Sequence, residues 1–354
     1  MAVKKSYQIM KKIHTSRDNE MFRKVVIVDG QAGCGKTMLS PIISSYKRVE
    51  LLTYIFEIEF ILRLYNLNKI KKDSAISMIK VFTDHKLYQS MMGREVNFRF
   101  SDISSVYNYA NPQIYLKRIK DKGDEKIPNL ISKTQPILNF TSHDLLENID
   151  CLFEAYGKKL FFIEVVRHPL YMIIQQSLNM KNLINSSRDV DIYYKYKNIE
   201  YPHFAYGWEE IFNKINPVEK AIHLMNINCK INNMKRKKIS NSKFRNNFLT
   251  IPFESFVKNP NLYLNKIKNK INTVNTSKTS SFIKKANIPR KKIADGIPLD
   301  IYKRCGWQPS KKGFTEKEEL IFRRHYLVKN NVSKHYIKII DNLSKNYEKN
   351  YSFL

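Results

Sequence analysis

Lys24-Val-Val-Ile-Val-Asp-Gly-Gln-Ala-Gly-Cys-Gly-Lys-Thr37 (KVVIVDGQAGCGKT) decides the fold. Lys24–Asp29 is a β-branched run that stops at a glycine, the pattern of a buried strand. Gly30–Thr37 then matches G-x-x-x-x-G-K-[ST] in full. MLSPIISS follows and reads as a helix start, with Pro41 early enough to be tolerated. Strand, glycine-rich loop and helix in this order make a cradle for an anion. Gly30, Gly33 and Gly35 let the backbone turn tightly and aim N–H groups inward, with Cys34 between them. Those amides and the helix N-terminus favour a phosphate-like group. Lys36 adds a point charge, and Thr37 adds a hydroxyl able to bind phosphate or Mg²⁺.

Working outward, strands and helices alternate. Pro136–Phe140 (PILNF), Lys159–Val166 (KLFFIEVV) and Phe248–Phe253 (FLTIPF) read as further strands. Asp144–Tyr156, Pro169–Met180, Val218–Lys238 and Phe256–Ile271 read as helices. Thr315 and Glu318 form a capping-box pattern that opens a C-terminal helix. This alternation predicts an α/β protein, a three-layer fold around a parallel central sheet. Residues 48–131 read as mostly helical, a large insertion after the first βα unit. Within it Ile76, Ile79 and Phe82 form an apolar stripe, Ser101 and Asp102 are cap candidates, and Lys117–Lys133 reads as a surface connection. Residues 1–23 are expected to be a basic arm and 24–354 a single domain. Residues 181–205 are polar, Tyr-rich and irregular in pattern. No internal repeat is present.

Composition bounds the rest. The 354 residues carry 62 Lys plus Arg against 32 Asp plus Glu, a net charge of +30. The 43% hydrophobic content excludes wholesale disorder. The charge points to an anionic partner without naming one. The four cysteines, Cys34, Cys151, Cys229 and Cys305, make no CxxC unit, so reduced structural thiols are expected rather than a zinc site. The N-terminus has no apolar signal region, and no run of about 18 apolar residues occurs. A soluble, cytoplasmic protein is expected.

Four stretches beyond the loop carry a resemblance to the sulfotransferase superfamily, which shares the P-loop fold. EVVRHPLYMIIQQS (Glu164–Ser177) is similar to the family's strand ending in R-x-P, followed by a helix bearing a serine. The resemblance implies that Arg167 and Ser177 hold the 3′-phosphate of 3′-phosphoadenosine 5′-phosphosulfate (PAPS). The family places the serine eight residues after the Arg, where Gln175 stands here. PILNFTSHD (Pro136–Asp144) resembles the strand ending in K-T-H, which makes His143 the catalytic base and puts Thr141 at the Lys position. An imidazole with a pKa near 6.5 suits that task. TIPFESFVKNP resembles a late scaffold strand and helix of the family. PRKKIADGIPLDIYKRCGWQPSKKGFT (Pro289–Thr315) resembles the loop that closes over the 3′-phosphate, with Arg290 and Lys291 as candidates. The family's loop commonly has Lys before a glycine, about where Gly33 sits, whereas Lys36 follows Gly35 as in kinases.

The expected activity is transfer of a sulfuryl group from PAPS to a hydroxyl or amine acceptor. Lys36 and His143 would do the chemistry, with no metal required. The acceptor is unknown, a carbohydrate or other acidic substrate being one expectation. The insertion and the Tyr-rich segment 193–206 are expected to shape its pocket. A kinase or NTPase using Mg-ATP is the alternative. Glu164 or Asp144 would then be the magnesium acid, although neither ends a clean apolar strand. A basic polyanion binder, resting on MKRKK and PRKK, is a third reading. It leaves the loop unexplained, and no nucleic-acid module appears.

Overall fold

The structure, a computed structural model, describes residues 13–293, 305–307 and 314–351. Seven strands are present among them: β1 (Lys24–Asp29), β2 (Thr53–Tyr54), β3 (Ile137–Thr141), β4 (Leu160–Val166), β5 (Tyr193–Tyr196), β6 (Ile199–Pro202) and β7 (Phe248–Pro252). Five form one parallel sheet in the order β2-β3-β1-β4-β7. β1 lies in the middle, with Val28 opposite Thr141 of β3 and Ile163 of β4. Its run is apolar on both sides because both faces are covered. Val26 and Val28 join Ile163 and Val165 in one core, and Val25 and Ile27 join Phe162 in the other.

The helices cover both faces. α1 (Lys36–Ser44) follows the loop. The excursion after it holds α2 (Phe56–Asn66), α3 (Lys72–Met91), α4 (Pro112–Lys120) and α5 (Ile127–Thr134). α6 (Ile149–Tyr156) joins β3 to β4, and α7 (Pro169–Asn182) follows β4. α8 (Glu209–Lys214) and α9 (Pro217–Ser240) precede β7. α10 (Phe253–Lys258), α11 (Pro260–Ile271), α12 (Thr279–Lys285), α13 (Glu316–Lys329) and α14 (Lys334–Tyr351) complete the chain. Apolar residues of α1, α7, α9, α11 and α14 fill the first core, and those of α2, α3 and α6 fill the second. This is a three-layer α/β fold.

Several sequence expectations change. Residues 48–131 are not only helical, because Thr53 and Tyr54 pair in parallel with Phe140 and Thr141 as an edge strand. The apolar run at Leu51 reads as helix, but this pairing overrides its period until Phe56. No helix starts at Ser101 or Asp102; Asp102 instead accepts from Asn97 Nδ2 at 3.0 Å within a turn. The surface connection at Lys117–Lys133 holds the end of α4 and most of α5. Arg118 anchors α4 through two bonds to buried Glu50, at 2.6 and 2.9 Å. The irregular Tyr-rich stretch contains the antiparallel β5–β6 pair. Its turn residues Lys197 and Asn198 both have positive φ, as a two-residue hairpin requires. From Ile13 on, the N-terminal arm lies along α3. The Arg17 side chain and the Met21 and Phe22 amides bond to buried Asp84.

Candidate functional site

The loop is packed too closely to carry side chains at two of its glycines. A Cβ on Gly30 would stand 2.4 Å from the Val165 carbonyl, and one on Gly35 2.2 Å from the Phe253 ring. Both residues have positive φ. Cys34 N–H closes the turn onto the Gln31 carbonyl at 3.1 Å. No side chain caps α1, so its first-turn amides stay directed at the loop's concavity. Lys36 is buried and donates to the Gly30 carbonyl at 2.7 Å and to Gln31 at 3.4 Å. Thr37 follows it, half-buried, in the first turn. Gln176 of α7 steadies the loop by donating to the Ala32 carbonyl at 3.1 Å. Burial pushes the Cys34 thiol up, so it stays protonated and serves as packing.

On one side of the loop lies the end of β3. His143 follows it, half-buried. Its backbone N–H and its Nδ1 both meet Glu59 Oε1, at 3.0 and 3.1 Å. Glu59 comes from α2 and is fully buried. Its other oxygen takes Arg63 Nη2 at 3.0 Å, and Arg63 also donates to Asp191. Burial works against the charge of Glu59, but His143, Arg63 and Lys36 outweigh it and hold the carboxyl below the usual range. Tyr54 and Phe56 lie parallel to the His143 ring, each 6.1 Å away. Nε2 makes no hydrogen bond with the described residues.

On the other side lies the end of β4. Arg167 Nη1 donates to the Gly33 carbonyl at 3.0 Å, and the guanidinium sits 4.2 Å over the Phe253 ring. Its Nε is buried without a hydrogen-bond partner among the described residues. Ser177 is not brought to the loop. Its hydroxyl engages the Ile174 carbonyl at 2.9 Å and Tyr326 of α13 at 3.0 Å. One α-helical residue turns the face by about 100°, so position 177 points elsewhere than 175. Gln175 is the residue whose side chain reaches Gly33, 3.1 Å from where a Cβ would stand. Arg290 bonds largely to nearby backbone: Lys292, Ala286 and Asn287 carbonyls at 3.0, 3.2 and 3.2 Å. It also meets Met38 Sδ of α1 at 3.8 Å. Lys291 is exposed. Positions 294–304 and 308–313 of that resembling loop lie outside the described residues.

The acids sort by what they already hold. Asp29, at the end of β1, accepts from Ser142 Oγ at 2.8 Å and from the Leu145 and Leu146 amides at 3.1 and 3.2 Å. Glu164 is bound by Arg236 of α9 and by Thr250 of β7. Both carboxylates are therefore committed. Asp144 differs: its Oδ1 is buried without a hydrogen-bond partner among the described residues, and its backbone is left-handed at φ 55°. Burial first, then Asp29, Glu147 and Glu59, push its carboxyl up to about 7 against the pull of Lys36. The folded pKa lies above the unfolded one. Stability is therefore unaffected near pH 4 and falls as pH rises toward 7, while the unfolded chain ionises and the folded chain keeps its proton. Asp144→Asn removes this penalty. Urea titrations should find the variant more stable by roughly 2 kcal/mol at pH 8, after allowance for partial exposure, and equal to the parent near pH 4.

The sequence singled out Lys36, His143 and Arg167, and these surround one loop. Glu59, an acid of the insertion, joins them through His143. Its i,i+4 spacing to Arg63 was the available signal. Tyr54, Phe56, Gln176 and Phe253 carried no signal, because their role depends on strands meeting in space.

No family model matches the chain, and no curated protein is similar to it. Several solved structures are. The sulfotransferase domain of the Synechococcus PCC 7002 olefin synthase is 11% identical, covering 89% of this chain and 98% of that one, with a TM-score of 0.38. Sulfotransferase STF9 from Mycobacterium avium is 13% identical over 89% of this chain and 78% of that one, with a TM-score of 0.38. Mouse sulfotransferase SULT7A1, a structure complexed with PAP, is 11% identical over 91% of each chain, with a TM-score of 0.34.

Proposed function

We propose that the chain transfers a sulfuryl group from PAPS to a hydroxyl or amine acceptor. One arrangement carries this reading. β1 and its loop lie between β3 and β4, so the anion cradle is flanked by His143 on one side and Arg167 on the other. A base beside the cradle serves the acceptor. A guanidinium with an unpaired Nε serves a second anionic group of the donor, as a 3′-phosphate would be. The acids at the ends of β1 and β4, Asp29 and Glu164, are occupied by hydrogen bonds, which speaks against their holding Mg²⁺ for ATP.

The donor supplies the sulfuryl group. A bond forms between the acceptor atom and sulfur, and the sulfur–oxygen bond to the 5′-phosphate breaks. The chain's residues do the rest. The loop amides and Lys36, released from the Gly30 carbonyl, hold the negative charge that grows on the leaving phosphate. His143 Nε2 receives the acceptor's proton. Arg167 holds the far end of the donor, and orientation supplies much of the rate.

Thermal unfolding tests the donor. Adenosine 3′,5′-bisphosphate should raise the melting temperature by several degrees at concentrations near 100 times Kd, a linkage of about 2.7 kcal/mol. Arg167→Ala should remove most of the shift. A shift with Mg·ATP and none with the bisphosphate overturns the proposal.

A further inference from the structure

From Thr134 to Gly157 there is no Lys or Arg. Asp150 and Glu154 of this stretch are met by Lys235, Lys238 and Lys72, which leaves Asp144 and Glu147 with no ion pair among the described residues. The fold then adds Asp29 from β1 and Glu59 from α2 to the same region. Both raise the proton affinity of Asp144, as does Glu147. Lys36 acts against them at Asp144, and Arg63 offsets Glu59.

Among these acids Asp144 alone makes no side-chain hydrogen bond with the described residues. Glu147 takes Asn66 and Asn148, Asp29 takes a hydroxyl and two amides, and Glu59 takes His143 and Arg63. An oxygen buried without a partner is costly and calls for an explanation, of which a ligand that meets it is one. Asp144 is the next residue after His143, so its ligand and the group that gives up a proton to His143 belong to one molecule.

Resting on the sulfuryl-transfer reading, we infer that Asp144 is the acceptor-recognition residue and that the acceptor carries a protonated amine near the group that reacts. A neutral hydroxyl could also satisfy the orphan oxygen. The negative surroundings decide for the ammonium, because they attract a cation and give a neutral donor no such advantage. This reverses the expectation of an acidic acceptor drawn from the +30 net charge. The positive charge lies elsewhere on the molecule, and the acceptor side is locally acidic.

The test is a set of matched small molecules titrated into protein saturated with adenosine 3′,5′-bisphosphate at pH 8. Ethanolamine is compared with ethylene glycol, and glucosamine with glucose, by calorimetry. The amine of each pair should bind at least tenfold more tightly. Asp144→Asn should bring the two members of a pair together, and its unchanged shift with the bisphosphate would show that it is folded. Asn is a mild choice, since it tolerates the left-handed backbone at this position. Equal binding within the pairs, a preference that survives in the variant, or no binding of either amine overturns the inference. So does stabilisation by MgCl₂ alone that is lost in Asp144→Asn, which would make the residue a metal ligand. The wild-type comparison decides without the variant. If the bisphosphate itself fails to bind, the sulfuryl-transfer reading falls. If it binds and the amines show no preference, only the acceptor inference falls.

Discussion

His143→Gln is expected to bind adenosine 3′,5′-bisphosphate as the parent does and to lose turnover by about 10²–10⁴-fold, the usual contribution of a positioned proton acceptor. The expectation follows from how the imidazole is held. Glu59 fixes both the backbone N–H and Nδ1 of His143, at 3.0 and 3.1 Å. A buried carboxylate that stays ionised keeps the proton on Nδ1, which leaves Nε2 as the basic nitrogen. Arg63 keeps Glu59 in place by taking its second oxygen. Glutamine can keep the hydrogen bond to Glu59 but cannot take up a proton, so the substitution removes the chemistry with little change in shape. Release of the bisphosphate from PAPS, followed with an amino alcohol as acceptor, measures the loss. Glu59→Gln serves as the companion variant. It should lower kcat less than His143→Gln, because the imidazole loses the carboxylate that orients it but keeps its basic nitrogen. Full activity in His143→Gln would remove His143 from the mechanism.

What could be read from the sequence follows a physical division. β1 and its loop were legible because strand, turn and helix there are local: β-branched residues, three glycines and a lysine within 14 positions. β3 and β4 were legible to within a residue or two because both faces are buried and the runs are nearly all apolar. β7, an edge strand half-buried over its first three residues, was legible from its apolar run alone. β2 was not, since two residues at a sheet edge carry no period of their own, and only Phe140 and Thr141 make Thr53 and Tyr54 a strand. Likewise His143 could be found by its place at a strand end. Its partner Glu59 is 84 positions earlier, and no local pattern joins the two. Ser177 is the opposite case: matched by residue type, it bonds to Ile174 and Tyr326, while the side chain that faces Gly33 belongs to Gln175. The MKRKK run, taken as a mark of polyanion binding, is largely neutralised in the fold. Lys235 and Lys238 meet Asp150 at 2.8 and 3.0 Å, and Arg236 meets Glu164.

That last pair carries the largest expected effect on stability. Arg236→Ala should destabilise the protein by about 3–5 kcal/mol, because it leaves Glu164 charged and buried without a cationic partner. Glu164 sits in β4 between Asp29 of β1 and Thr250 of β7, with almost no exposure. Arg236 grips it with Nε at 2.8 Å and Nη2 at 3.0 Å, and Thr250 Oγ1 adds a third bond at 3.2 Å. The geometry is the two-pronged match of guanidinium to carboxylate, so lysine at 236 would be a poor substitute. Loss of a third or more of a typical folding free energy should show as a large fall in the urea midpoint. The double variant Glu164→Gln with Arg236→Met should recover most of it, because no uncompensated charge is then buried. The same pair of variants also separates the two roles considered for Glu164. A magnesium acid would make Glu164→Gln lose Mg·ATP binding while stability changed little. A structural anchor makes the double variant bind nucleotide normally while Arg236→Ala alone unfolds early. The second outcome is expected, since all three bonds to Glu164 come from the protein's own frame.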